Sequence, residues 1–196
     1  PDELDINLSK ISDLRYGENP HQLGAVYSDQ NEGVANSKLI HGKAMSYLNY
    51  LDADSAFSSA NSFPRKCVSI IKHTNSCGLS YHENQLEAYK LALRGDPISA
   101  FGGIIGLNSE LQLDTALEIS KTFYEVIIAP SFSKEALEIL TAKKNIRLIK
   151  STLYKQKKEY RTINGGVLYQ EKDNFEIDIS NWEFVTKIKP KKEFTF

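Results

Sequence analysis

A lysine and a histidine stand side by side at Lys72-His73, within the run Ile71-Lys72-His73-Thr74-Asn75-Ser76-Cys77-Gly78. A cation beside an imidazole favours the neutral ring, which can then accept a proton near neutral pH. The ammonium itself can face negative charge that develops in a transition state. The pair follows residues 67–71, a β-branched run that reads as a buried strand, and ligand sites in α/β sheets gather beyond the carboxyl ends of strands. Successive strand residues point to opposite faces. Lys72 and His73 therefore share a site only if the strand breaks between them, and the Thr-Asn-Ser-Cys-Gly segment that follows reads as a turn permitting that break. The same residues also admit a plainer reading, with a strand-end lysine in solvent and a histidine capping a turn. Spacing alone does not separate the two.

Two further segments could recognise a ligand. Leu14-Arg15-Tyr16-Gly17-Glu18-Asn19-Pro20-His21-Gln22 packs polar, planar and turn-forming side chains into one short stretch. Arginine beside tyrosine suits a phosphate together with a stacked ring, though a simple turn between two strands fits equally well. In Gly95-Asp96-Pro97-Ile98-Ser99-Ala100-Phe101-Gly102-Gly103, two glycines precede an apolar run, as where a ligand or another strand approaches the backbone. Neither a dinucleotide fingerprint nor a phosphate-binding P-loop occurs. Cys67 and Cys77 form no Cys-x-x-Cys, and His21, His41 and His82 show no ligand spacing, so no metal is expected. Cys77 reads as a small turn residue rather than a nucleophile.

The elements that must position these residues alternate along the chain. Residues 23–28 read as a strand. Tyr50, Ala53, Phe57 and Ala60 mark one face of a helix that Pro64 closes. A helix over about 83–94 carries Leu86, Tyr89 and Leu93 and ends at Gly95. Strands at 103–107, 126–128 and 146–149 are separated by helices near 113–123 and from Ser133 to about 143. This order implies an α/β fold, a mixed or parallel sheet with helices on its faces. A polar loop over 151–158, a hairpin around Asn164-Gly165-Gly166 and a lysine-rich tail over 187–196 complete the reading. Of 196 residues, 41% are hydrophobic and 25% charged, the balance of an ordinary globular domain. Lys plus Arg (24) nearly cancels Asp plus Glu (25). That near-neutrality argues against nucleic-acid binding driven by a basic excess. No apolar run approaches the length of a membrane span, no secretory leader opens the chain, and two cysteines fit a reducing cytoplasm. A start at Pro1 suggests a piece of something longer.

Together, in this order and spacing, the Leu14–Gln22 segment, Lys72-His73-x-Asn75-x-Cys77-Gly78, Asp96-Pro97-Ile98-Ser99-Ala100-Phe101-Gly102-Gly103 and Glu125-Val126-Ile127-Ile128-Ala129-Pro130 resemble the bifunctional purine biosynthesis proteins. More narrowly they resemble the AICAR transformylase domain, over about Leu14 to Lys187. The resemblance implies a cytidine-deaminase-like layered α/β sheet with helices on its faces, without zinc, in a cytoplasmic homodimer. It implies transfer of a formyl group from the co-substrate 10-formyltetrahydrofolate to the amine of AICAR, with a separate cyclohydrolase domain closing the ring to IMP. It makes His73 the general base and Lys72 the stabilising cation. Arg15, Tyr16, Asn49, Gly102 and Glu125 become AICAR-binding positions, with Arg15 the phosphate partner. Residues 1–22 would then be a leading segment with the Arg-Tyr-Gly loop, 23–187 the first deaminase-like lobe, and 188–196 the start of a linker to a second lobe. Two departures stand out. Ser76 occupies a position where bacterial members usually carry proline, and the second lobe, which brings an asparagine and most folate contacts, is not among these residues. The alternative is a non-catalytic lobe that binds a purine ribonucleotide. The intact Lys72-His73 pair argues against it, and the reading frame around the segment would discriminate the two.

Overall fold

Adjacent aliphatic pairs run through the middle of the chain: Ile70-Ile71, Ile104-Ile105, Ile127-Ile128 and Leu148-Ile149, all buried. In a strand the two members of each pair face opposite ways, so each strand must be covered on both sides. The computed structural model of the chain describes residues 2–28, 32–173, 183 and 185–188, and it meets this demand with three layers. In chain order the strands are β1 (Ser9–Leu14), β2 (Gly24–Ser28), β3 (Lys38–His41), β4 (Cys67–Lys72), β5 (Asn75–Tyr81), β6 (Ile104–Leu107), β7 (Val126–Ala129) and β8 (Arg147–Lys150). The helices are α1 (Tyr47–Asn61), α2 (Gln85–Leu93), α3 (Leu113–Ile119) and α4 (Lys134–Thr141).

Six strands form one mixed sheet in the order β3-β8-β7-β6-β4-β5. Strands β6, β7 and β8 are parallel, β4 is antiparallel to both β5 and β6, and β3 is antiparallel to β8. One face buries Ile71, Ile104, Ile128 and Ile149 with Ala53, Ala56 and Phe57 of α1. The other buries Ile70, Ile105, Ile127 and Leu148 with Ala88 and Tyr89 of α2, Ala116 and Ile119 of α3, and Ala136 and Leu140 of α4. Helix α1 approaches the sheet closely. The Ser69 hydroxyl donates to the Ala56 carbonyl at 2.6 Å, and a Cβ on Gly106 would strike that same peptide.

Local sequence explains the helix starts. Ser46 and Asn49 form a reciprocal capping box at α1, Asn84 accepts the Glu87 N–H at α2, and Ser133 accepts the Ala136 N–H at α4. At the end of α2, Gly95 follows the C-cap Arg94 and its N–H reaches the Ala92 carbonyl. Helix α3 is shorter than the apolar spacing predicts. The N–H groups of Lys121 and Thr122 bond to the carbonyls of Glu118 and Ile119, three residues back, which tightens and ends the helix before the buried Tyr124.

The polar strands β1, β3 and β5 carry little strand signal. Asn75–Gly78 in particular reads as part of a turn by composition, and it is strand because β4 supplies its hydrogen-bonding partner. A shorter ribbon pairs β1 with β2.

The chain divides into two compact units, 1–154 and 155–196. The second contains the hairpin of β9 (Lys158–Ile163) and β10 (Gly166–Glu171), joined by Asn164 and Gly165, whose φ is +81°. Of the lysine-rich tail, residues 189–196 lie outside the described residues. Among the described residues no helix is long and apolar enough to cross a membrane.

Candidate active site

Strand β4 ends at Lys72, which pairs with Asn75, so only His73 and Thr74 make the connection to β5. Both are left-handed, with φ of 54° and 60°, as in the primed turns that join hairpin strands. The strand thus does break between Lys72 and His73. The turn is two residues long, not the five expected from composition, and Asn75, Ser76, Cys77 and Gly78 belong to a strand. Ser76 lies on the edge strand of the sheet, where a missing N–H is tolerated and proline is accepted.

Lys72 is half-buried and its Nζ donates to the Phe101 carbonyl at 2.9 Å. This bond brings in the Gly102-Gly103 segment. Gly102 has φ +74° and meets only a ring carbon of Phe123 at 3.9 Å where its Cβ would stand, so backbone conformation rather than space demands glycine. Its N–H donates to the Phe123 carbonyl at 2.8 Å, and the Glu125 N–H donates to the Gly103 carbonyl at 3.0 Å. The Glu125 carboxylate accepts from Asn49 Nδ2 at 2.9 Å. Asn49, buried in the first turn of α1, is positioned by the capping box, in which its Oδ1 accepts the Ser46 N–H at 3.2 Å. Lys72, Gly102, Glu125 and Asn49 are therefore linked by hydrogen bonds that meet on the Phe101–Gly103 backbone. They gather where β4 ends but where β6 and β7 begin, because β4 runs against its neighbours. The carboxyl-end expectation holds for β4 alone.

Arg15 and Tyr16 lie on the segment between β1 and β2. The guanidinium sits 4.7 Å from the Tyr16 ring centroid and donates to its hydroxyl at 2.8 Å. Arg15 is exposed, and among the described residues no hydrogen bond ties this pair to the Lys72–Glu125 group.

Other polar groups have structural duties. His41 bonds to the Lys143 carbonyl at 3.1 Å, and His82 Nδ1 accepts the Asn84 N–H at 3.0 Å. Burial pushes the Cys67 thiol up to about 11. Burial also raises Cys77, with the Asp96 carboxylate adding to the shift and Lys72 opposing it. Both thiols are thereby poor nucleophiles near neutral pH. Asp96 is held below its ordinary value, first by hydrogen bonds from Ser99 and in smaller part by the charge of Lys72. Among the described residues no cluster of three or more His, Cys, Asp or Glu could hold a metal ion.

One residue of this region escapes the sequence reading. The Asp52 carboxylate, on α1, accepts the Thr74 N–H at 2.6 Å and the His73 N–H at 3.3 Å. The available signal is helical spacing: Asn49, Asp52 and Ser55 recur every third residue beside the buried stripe of Ala53, Ala56 and Ala60.

The fold and this group of residues define an α/β lobe with a cation, an imidazole and a hydrogen-bonded carboxylate at one end of a mixed sheet. A family model described as the AICARFT/IMPCHase bienzyme matches residues 1–195. The chain belongs to this family. It is similar to the bifunctional purine biosynthesis protein PurH of Halalkalibacterium halodurans, 41% identical over 97% of this chain and 38% of the relative. The proteins of the same name from Bacillus cereus and Dictyostelium discoideum are each 42% identical, over 98% and 94% of this chain and 39% and 36% of theirs. The chain thus spans under two fifths of the length of these relatives.

Proposed function

We propose that this chain forms part of an AICAR formyltransferase that acts in purine synthesis, within a bifunctional cytoplasmic homodimer that also carries IMP cyclohydrolase activity. Residues 23–187 are taken as the first of two lobes in the transferase domain, with 1–22 as its leading segment. The carrying observation is the set of hydrogen bonds that joins Lys72 to Glu125 and Asn49 beside the His73 turn, in a chain of this family. Near-neutral charge fits small-molecule substrates rather than nucleic acid or membrane.

In this reading the AICAR amine attacks the formyl carbon of 10-formyltetrahydrofolate. His73 takes the amine proton, which matters because the amine lone pair is delocalised into its ring. Negative charge grows on the formyl oxygen as the new C–N bond forms. Collapse then breaks the bond to the folate nitrogen, which receives a proton, and formyl-AICAR and tetrahydrofolate leave. Lys72 faces the oxyanion or the leaving nitrogen. Its bond to Phe101 uses one ammonium hydrogen and leaves two. Glu125 keeps a second carboxylate oxygen for the substrate, and Arg15 offers its remaining donors to the phosphate.

The test is tetrahydrofolate formation from AICAR and 10-formyltetrahydrofolate by the full-length polypeptide encoded around this segment. His73→Ala should lower kcat by about 10²–10⁴ while AICAR affinity stays within a few fold. A folded His73→Ala enzyme with near-normal kcat would overturn the role of that residue. Absence of AICAR-dependent tetrahydrofolate formation by the unaltered enzyme would overturn the activity.

A further inference from the structure

The turn that carries His73 has one residue ill-suited to its conformation. Consecutive left-handed positions suit asparagine and glycine; His73 tolerates one of them, but the other holds the β-branched Thr74, for which positive φ is sterically unfavourable. Its backbone polar groups are nonetheless all engaged. The His73 carbonyl accepts from the Thr74 hydroxyl at 2.7 Å and from Asn75 Nδ2 at 2.8 Å. The Thr74 carbonyl accepts from the Ser55 hydroxyl at 3.2 Å. The two N–H groups go to a single carboxylate, Asp52, one to each oxygen, at 3.3 and 2.6 Å. Three of these five hydrogen bonds involve α1, through Asp52 and Ser55, and the same helix carries Asn49 and hence Glu125. One helix therefore references both the imidazole-bearing turn and the carboxylate side of the site.

We propose that Asp52 is the positioning residue for His73. Its carboxylate, bridging two successive amides, keeps the turn left-handed and so sets the direction in which the imidazole leaves the backbone beside Lys72. Were His73 to continue β4 as extended backbone, its side chain would point to the opposite face of the sheet from Lys72. A charged acceptor suits this duty, because hydrogen bonds to a carboxylate are stronger than those to a neutral amide. The inference rests on the reading of Lys72 and His73 as the catalytic pair.

Asp52→Asn in the full-length enzyme tests it. Asparagine keeps the size and one acceptor but presents an NH₂ to the other amide. The expected result is a kcat lower by about 10- to 100-fold, the scale of loss for a misplaced catalytic group, with the AICAR KM within a few fold. Hydrogen–deuterium exchange should speed up in the peptide containing His73 and Thr74. Adding Thr74→Gly, which takes positive φ without steric cost, should recover most of the kcat loss relative to Thr74→Gly alone. A merely structural Asp52 would lower the melting temperature without this rescue. Full kcat in folded Asp52→Asn, or a loss that Thr74→Gly does not recover, overturns the proposal. If Asp52→Asn does not fold, the double variant decides: folded and active supports the role, folded and inactive refutes it. His73→Ala run in parallel separates the two claims. If it keeps full kcat, the catalytic reading fails and the positioning role falls with it. If it is inactive while Asp52→Asn is not, the positioning role alone falls.

Discussion

Arg15 and Lys72 are both cations, but their surroundings differ, and the proposed reaction gives them different work. Arg15 is exposed and braced on the Tyr16 ring, which orients a planar fork of donors toward solvent. A phosphate held there is held equally before and during reaction. Arg15→Ala should therefore raise the AICAR KM by about 10- to 100-fold, the worth of a charged hydrogen bond, with a smaller fall in kcat. Lys72 is half-buried and bonded to the Phe101 carbonyl, and in the proposed reaction it faces the oxyanion or the leaving nitrogen. Lys72→Ala should do the opposite, lowering kcat by about 10²–10³ and changing KM less. Steady-state kinetics of the two variants side by side would show the split. A rise in KM alone for Lys72→Ala would place that residue with binding rather than chemistry.

At the scale of elements, the segment between α2 and β6 supplies the Phe101 carbonyl to Lys72, and Asp96 organises it. Its Oδ1 accepts the N–H groups of Ile98 and Ser99 at 3.2 and 2.9 Å. These bonds, foremost those of Ser99, favour the ionised form and hold the carboxyl below its ordinary value of 3.8. A depressed folded-state value means the unfolded chain binds the proton more tightly. The stabilisation is then complete above about pH 3.8 and is lost as pH falls through the lower folded-state value. Asp96→Asn should melt slightly below the unaltered protein near neutral pH, and the gap should close on acidification below 3.8. Melting curves across that range check the sign, and a gap that widened in acid would contradict it.

Across the first unit as a whole, the face of the sheet away from α1 buries a polar contact among its aliphatic side chains. The hydroxyls of Tyr89 and Tyr124 lie 3.0 Å apart, both residues fully buried, with their rings edge to face at 6.4 Å. Burial raises both phenols far from titration near neutral pH. The two are not equivalent, because the Thr122 side chain opposes the effect of burial on the Tyr89 phenol and so puts a second polar group at hand for that hydroxyl. Tyr89→Phe should leave the Tyr124 hydroxyl buried and unsatisfied, at a cost of about 1–3 kcal/mol. Tyr124→Phe should cost less, about 0.5–1.5 kcal/mol. Denaturant unfolding of both variants would test that order.

Residue types and their periods determined much of this protein. Short aliphatic, largely β-branched runs identified β4, β6, β7 and β8, and Ser133 marked a helix start; Ser46 and Asn84 cap α1 and α2 by the same short-range chemistry. These signals are local, acting over a turn of helix or the two faces of one strand, so a linear reading captures them. The α/β class followed from their order. Strands β1, β3 and β5 were not legible, because their polar residues become strand only when a partner offers a hydrogen-bonding edge. The Lys72-His73 pair stood out by chemistry. That Lys72 reaches the Phe101 carbonyl, that Asn49 holds Glu125 across 76 positions, and that Asp52 grips a turn 21 and 22 residues away were decided by tertiary structure alone. The antiparallel placement of β4 brought its end to the beginnings of β6 and β7. Strand direction within a sheet is a property of how the chain crosses over, and no single segment encodes it.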